Sequence, residues 1–186
     1  MPGPKNVLVD IWLLSCVSTA LVAEELAEHP LSVDEFALYG LISDLGPVTA
    51  TQLSQWTGTS ATTLSAMLRR CQARGELART PNAADRRSVF VELTDQGRAV
   101  YRAALPALAR ALERLQRDEP PAEEARYVLQ QVDGAVRDAL GLPARPYRVE
   151  APGFAADDAE TPLTPAQAAE VRAFAAWIRH RDATGG

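Results

Sequence analysis

Residues 48–97 constrain the fold more than any other part of this 186-residue chain. The stretch reads as two short helices followed by two strands with a basic turn between them. Thr49 and Gln52 have the spacing of a capping box, in which side chain and backbone at a helix start satisfy each other. Val48 and Leu53 flank that start at hydrophobic-staple positions. The first helix stops at Thr57-Gly58-Thr59, where Gly58 can take the positive φ of a tight turn. Ser60 is placed to cap the second helix. Within it Leu64, Met67, Leu68 and Cys71 recur at i, i+3, i+4 and i+7, which makes one buried stripe. Gly75 ends it, with Arg69, Arg70 and Arg74 near the negative end of the helix dipole.

The opposite face carries Ala61, Thr62, Ser65, Ala66, Arg69 and Gln72, with no acid among them. Short residues permit close approach to a major groove, and hydroxyls and guanidinium groups meet base edges and phosphates. An ordinary solvated helix face has equal weight for this helix taken alone. The hairpin that follows shifts the balance. Residues 77–80 and 88–93 read as strands, with Val89, Val91 and Leu93 alternating onto one face. Between them, residues 81–87 form a tip with Asp85, Arg86 and Arg87. A cationic tip beside a reading helix suits the negative potential of a minor groove. An isolated hairpin of this kind would be only a solubilising turn.

The run Asp85-Arg86-Arg87-Ser88, followed by Val91, Leu93, Thr94 and Gly97, resembles the DRR…V.LT..G signature of the MarR family of bacterial transcription regulators. Leu53, Gly58, Ser60, Thr63, Leu64, Arg70 and Gly75 fall in step with that family's helix-turn-helix. The resemblance covers roughly residues 6–140. It implies a mainly α fold with a small β-wing: a winged helix-turn-helix head on a helical dimerisation unit. It implies that Arg87 enters the minor groove, that Asp85 braces the wing by pairing with an arginine, and that Arg86 faces phosphate. Thr49, Ser60, Ala61, Thr62, Thr63, Ser65, Arg69 and Arg70 are the expected contacts to the groove and its walls. Ala66 stands where relatives often carry a basic residue.

Charge distribution agrees with this reading. The chain has a formal net charge of −5. Residues 48–98 nonetheless carry seven arginines against Glu76, Asp85, Glu92 and Asp95. A basic head on an acidic body is the asymmetry a DNA binder can use, with modest non-specific binding that fades with salt. Cys16 and Cys71 have no metal-ligand spacing, and His29 and His180 stand alone, so no metal or cofactor is expected. No nucleophile–base set or phosphate-cradling loop is present in the sequence, which argues against an enzyme.

Residues 7–23 are the most apolar run. A signal peptide and a membrane span compete with a buried helix as readings of it. Asp10 within the run, diluting Ser15, Ser18 and Thr19, and the single Lys5 ahead of it favour a helix buried nearly all round, ending near Glu28. One chain of this size can hardly cover such a helix, and the resemblance implies that a partner subunit does so. Ser32 and Glu35 form a second capping box with Leu31 and Phe36 as its staple, opening a helix that stops at Gly46-Pro47. Thr94 caps a long helix to Gln116, with Val100, Ala104, Leu105, Leu108, Leu112 and Leu115 on its apolar face and a kink expected at Pro106. Another helix, with Val128, Val132, Val136 and Leu140 in a stripe, ends at Gly141. Residues 142–163 read as a linker, and Thr164 caps a last helix with Ala168, Val171, Phe174, Ala175 and Ile178 on one side.

The expected organisation is therefore an N-terminal dimerisation helix (1–30), the winged head (31–98), C-terminal dimerisation helices (99–141), a linker (142–163) and an extra helix (164–182). The expected function is a cytoplasmic homodimer that binds an inverted repeat in double-stranded DNA, as a repressor without cofactor or membrane attachment. The resemblance implies a small aromatic or acidic effector, with Trp12, Cys16, Phe36, Tyr39 and Tyr101 as candidate lining. Each of these five also reads as plain core. The competing readings are a winged-helix protein–protein module without DNA binding and a regulator switched by oxidation of Cys16.

Overall fold

The computed structural model describes residues 6–83, 85, 88–115, 123–148 and 164–184. The chain divides into two compact units, Met1–Glu150 and Ala151–Gly186. In the first unit the order is α1 (Val7–Glu25), α2 (Val33–Leu45), β1 (Val48–Thr49), α3 (Ala50–Thr57), α4 (Ala61–Ala73), β2 (Leu77–Pro81), β3 (Val89–Leu93), α5 (Asp95–Leu115) and α6 (Glu123–Leu140). The second contains α7 (Pro165–Thr184). The fold is mainly α with a small antiparallel sheet.

Local signals set the boundaries of the head. Ser32 and Glu35 form the expected reciprocal cap of α2, and Thr49 and Gln52 that of α3. The Ser60 hydroxyl accepts from the Thr63 amide at 3.2 Å and starts α4. Gly58 and Gly75 take φ of +69° and +75° and turn the chain out of α3 and α4. The Thr94 hydroxyl accepts from the Gly97 amide and donates to the Gly75 carbonyl, so one residue starts α5 and ties it to the end of α4.

Sequence reasoning missed β1, which is only two residues long. Val48 pairs with Val91 and Thr49 with Phe90, placing β3 at the centre of the order β1-β3-β2. The hairpin pairs Leu77 with Leu93 through Pro81 with Val89. Of the three residues expected on one inner face, Val91 and Leu93 are buried but Val89 is 43% exposed. The outer end of the hairpin projects beyond the core, so alternation there no longer implies burial.

The core joins α2, α3, α4, the sheet and the first half of α5, with Tyr39, Leu53, Leu68, Val48, Val91 and Cys71 fully enclosed. Both staples are inside it: Val48 with Leu53, and Leu31 with Phe36. Gly97 sits where α5 crosses the head. A Cβ there would lie 2.1 Å from the Glu76 carbonyl oxygen, so only glycine permits the crossing.

The helical frame departs from its expected packing in two places. First, α1 ends at Glu25 rather than near Glu28, and none of its residues is buried within the chain. Its one-chain neighbours, α2 and α5, leave Val7, Leu8, Val9, Trp12, Leu13, Leu14 and Val17 at 42–64% exposure. The described residues of one chain thus leave this helix uncovered, in line with the expectation that one chain can hardly cover it. Second, α5 buries Ala107 and Ala111 along with the expected Ala104, while Leu108 is only partly buried against the core. Small residues let α1 and α5 approach closely, while Leu105, Leu112 and Leu115 face outward. Arg110 and Arg114 of α5 clamp Glu25 at 2.8 and 2.9 Å. On α6 the ends of the expected stripe, Val128 and Leu140, are likewise exposed.

In the second unit the Thr164 hydroxyl accepts from the Gln167 amide and caps α7. The rings of Phe174 and Trp177 stack at 5.7 Å, and Val171 is 54% exposed. The side chain of Ile178 lies outside the described residues.

Candidate nucleic-acid interface

The outer face of α4 is open. Ser60, Ala61, Thr62, Thr63, Ser65, Arg69 and Arg70 are all exposed, while Leu64, Met67, Leu68 and Cys71 point into the core. The N-terminal hydroxyls have a second task. Ser60 and Thr63 hydroxyls lie 2.9 Å apart, and Thr49, half-buried, has its hydroxyl engaged by Gln52 at 3.0 Å. These groups are held in place by capping, so a partner meets a preformed polar surface at small conformational cost.

A groove separates α4 from the hairpin. It encloses about 180 Å³ and is lined by Thr49, Thr51, Ser65, Arg79, Ser88 and Val89, among others. Thr51, Arg79 and Ser88 were not among the contacts expected from the sequence. The signal was there for Arg79, which adds to the positive excess of the head and sits on the wing strand. Which way a strand residue points depends on register, and the short β1 that helps set it was not legible.

At the hairpin tip, Ala84, Arg86 and Arg87 lie outside the described residues. The expected minor-groove role of Arg87 and phosphate role of Arg86 therefore lie outside them too. What frames the tip is described. The Asn82 amide donates to the Ser88 carbonyl, the Asn82 side-chain amide donates to the Ser88 hydroxyl at 2.8 Å, and the Asp85 carbonyl accepts from the Ser88 amide at 3.0 Å. Asp85 itself is exposed.

Beneath the interface lies a polar brace. Glu35 of α2 and Glu76 before β2 are both buried, and Arg74 at the end of α4 reaches both, at 3.2 and 2.8 Å. The Tyr39 hydroxyl donates to Glu76, and the Cys71 thiol lies 3.7 Å from Glu35. Burial is the largest influence on Glu35 and opposes its charge. Arg74, the Ser32 amide and Arg70 together still bring its carboxyl below the ordinary value. Burial, then Cys71 and Glu76, raises the Tyr39 phenol. Burial also raises the Cys71 thiol, which is therefore protonated at neutral pH. Arg74 is thus more than a dipole-complementing terminal residue. It joins support helix, reading helix and wing strand.

The five residues offered as effector lining separate into two groups. Phe36 and Tyr39 are buried core, and the Phe36 ring meets the Tyr101 ring at 5.3 Å. Tyr101 is half-buried and borders a cavity of about 400 Å³ with Ser43, Asp44, Arg98, Arg102 and Leu105. Trp12 and Cys16 lie exposed on α1 and are not brought to that cavity within one chain. Among the described residues no group of three His, Cys, Asp or Glu is placed to hold a metal.

Comparison with known proteins agrees with the geometry. Residues 31–88, which span α2 to the wing, match the model of the MarR family. The head matches that family's model and has a winged-helix fold. The HTH-type transcriptional repressor NicR of Pseudomonas putida is 30% identical over 88 residues, which span 47% of this chain and 56% of that protein. The alignment thus covers little more than half of this relative. Two solved structures share the fold at 23% identity. One is Bordetella bronchiseptica BpsR, described for regulation of its DNA binding by 6-hydroxynicotinic acid, with a TM-score of 0.60 over 72% of this chain and 98% of that one. The other is the repressor CouR bound to a 23-mer DNA duplex, with a TM-score of 0.59 over 70% of this chain and 92% of that one.

Proposed function

We propose that this chain is a sequence-specific DNA-binding transcription regulator, acting as a cytoplasmic homodimeric repressor on an inverted repeat. The observation that carries the reading is the acid-free, exposed hydroxyl and arginine face of α4, set beside the wing on a MarR-family head. In this reading α4 enters the major groove through Ser60–Ser65 and Arg69, Arg70 and Arg79 meet phosphates. Arg87 would enter the minor groove from the wing and Arg86 would face phosphate. NicR and CouR, both transcriptional repressors, CouR bound to a DNA duplex, and BpsR, whose DNA binding is regulated by 6-hydroxynicotinic acid, support it.

The exposed apolar surface of α1 and the outward leucines of α5 support a dimer, because a soluble chain seldom leaves so large a contiguous apolar surface uncovered. Two heads about one helical turn apart would then read the half-sites. The effector is proposed to be a small aromatic acid. The cavity between α2 and α5 offers an aromatic wall in Tyr101 and cations in Arg98 and Arg102. Such a ligand acts by binding one head spacing better than another.

Selection of bound duplexes from a random pool, repeated across salt concentrations, tests the reading. Enrichment of a palindromic site, with affinity falling steeply as salt rises, is the expected outcome. No enriched site at any salt would overturn it.

A further inference from the structure

Helix α6, the C-terminal helix of the first unit, touches the head through a buried cation. Arg137 is 8% exposed, although most of the apolar side chains of its helix are not buried. Its Nε donates to Asp133 at 2.8 Å, one turn earlier on α6. Its Nη1 donates to the Gln55 carbonyl at 3.1 Å and the Pro143 carbonyl at 3.2 Å, and its Nη2 donates to the Trp56 carbonyl. Gln55 and Trp56 belong to the last turn of α3, whose carbonyls have no partner within that helix and carry the negative end of its dipole. Arg137 therefore acts as a C-terminal cap supplied by another helix.

The clamp is fastened on both sides. On the α6 side, Asp133 also accepts from Arg145 at 3.1 Å, and Gly141 at φ +63° turns the chain so that the Pro143 carbonyl reaches the guanidinium. On the α3 side, the Ser54 hydroxyl donates to the Thr59 carbonyl at 2.7 Å, next to the start of α4. A planar fork with five donors suits four acceptors in different directions, and a lysine ammonium does not reproduce it.

We infer that Arg137 is a positioning residue that fixes the orientation of the reading head relative to the C-terminal helix, and so sets which half-site spacing the dimer accepts. The inference rests on the proposed DNA-binding function. Arg137 sits at the end of α3 opposite the Thr49 cap, buried and with its guanidinium engaged by protein acceptors, so it is not placed to contact phosphate. Movement of α6 is carried to α4 through α3, and loss of the clamp frees the head to swing.

The test uses the full chain and the duplex that the wild-type protein enriches. Dissociation constants are measured for that duplex and for versions with one or two base pairs inserted between half-sites, each across salt. Arg137→Ala is expected to weaken binding to the enriched duplex roughly three- to thirty-fold and to shrink the penalty for inserted base pairs. The salt slope is expected to stay unchanged, whereas a lost phosphate contact would lower it by about 1. Arg137→Lys should fall between the two, and it decides the matter if the alanine variant does not fold. Unchanged spacing discrimination in the folded variants overturns the inference alone, as does a reduced salt slope. Unfolding of both variants overturns it in favour of a purely structural role. Failure of the wild type to enrich any duplex overturns the functional reading and this inference with it.

Discussion

The head and the helical frame draw on the same apolar residue types and use them in opposite ways. In the head, Val48, Leu53, Leu64, Leu68, Val91 and Leu93 are closed into one core, and the buried charges of Glu35 and Glu76 are met by Arg74. In the frame, no residue of α1 is fully buried within the chain, and Leu105, Leu112 and Leu115 of α5 turn outward past a seam of buried alanines. A region whose polar and apolar groups are both satisfied internally is complete as a fold. A region that satisfies only its backbone, and leaves a continuous apolar surface, is completed by a second surface.

The contrast can be broken most directly in the frame. Leu13→Glu places a charge on the exposed apolar side of α1, where it disturbs nothing inside one chain. Sedimentation is expected to show the dimer falling to the 20.1 kDa chain mass. Affinity for the enriched duplex should drop by two orders of magnitude or more, roughly, because two linked heads become independent. Retention of the dimer would place its interface elsewhere.

The next largest effect belongs to the head. Arg74→Ala strands two buried carboxylates and should cost about 3 kcal/mol in a denaturant melt, at the low end for buried pairs because a third of Arg74 faces water. Its pH dependence sharpens the comparison. In the wild type the Glu35 carboxyl titrates below its ordinary value near 4.5, so its stabilisation is complete above that pH and is lost as pH falls through the folded-state value. In the variant, burial acts without Arg74 and raises that carboxyl, so the deficit should be larger at pH 7 than at pH 5. A pH-independent deficit would show that the brace is not electrostatic.

Gly97→Ala is expected to cost about 1–3 kcal/mol, because the added methyl group meets a backbone carbonyl rather than a side chain that can move. This glycine lies at the joint of the two regions, so DNA affinity should fall by more than the stability loss explains. The smallest effect is Ser32→Ala, about 1 kcal/mol by thermal melt, since it removes one hydroxyl of the α2 capping box and leaves the core intact.

Much of the head was legible because its signals are local. Capping boxes, turn glycines and the stripe on α4 each follow from neighbours within a few residues, and each was found where expected. What escaped notice depends on partners far along the chain. The strand β1 is two residues long and exists through its pairing with Val91 and Phe90. Arg79 and Ser88 joined the candidate interface only when the hairpin register was known. Arg137 lies on a helix expected only for its apolar stripe, and nothing near it announces the carbonyls of Gln55 and Trp56. On α5 the expected face holds the buried Ala104 and the partly buried Leu108, yet Ala107 and Ala111 are buried while Leu105, Leu112 and Leu115 are exposed.

The amino-acid order alone therefore determined that a capped two-helix unit with a basic hairpin would form, since hydrogen-bond capping, positive-φ turns and periodic burial act over one or two helical turns. Tertiary structure alone decided which side chains of the frame are inside and how Arg74 spans three elements. It also decided how α6 is fastened to α3. Those outcomes depend on long-range contact and on the desolvation of paired charges, and neither is encoded within any short stretch of the chain.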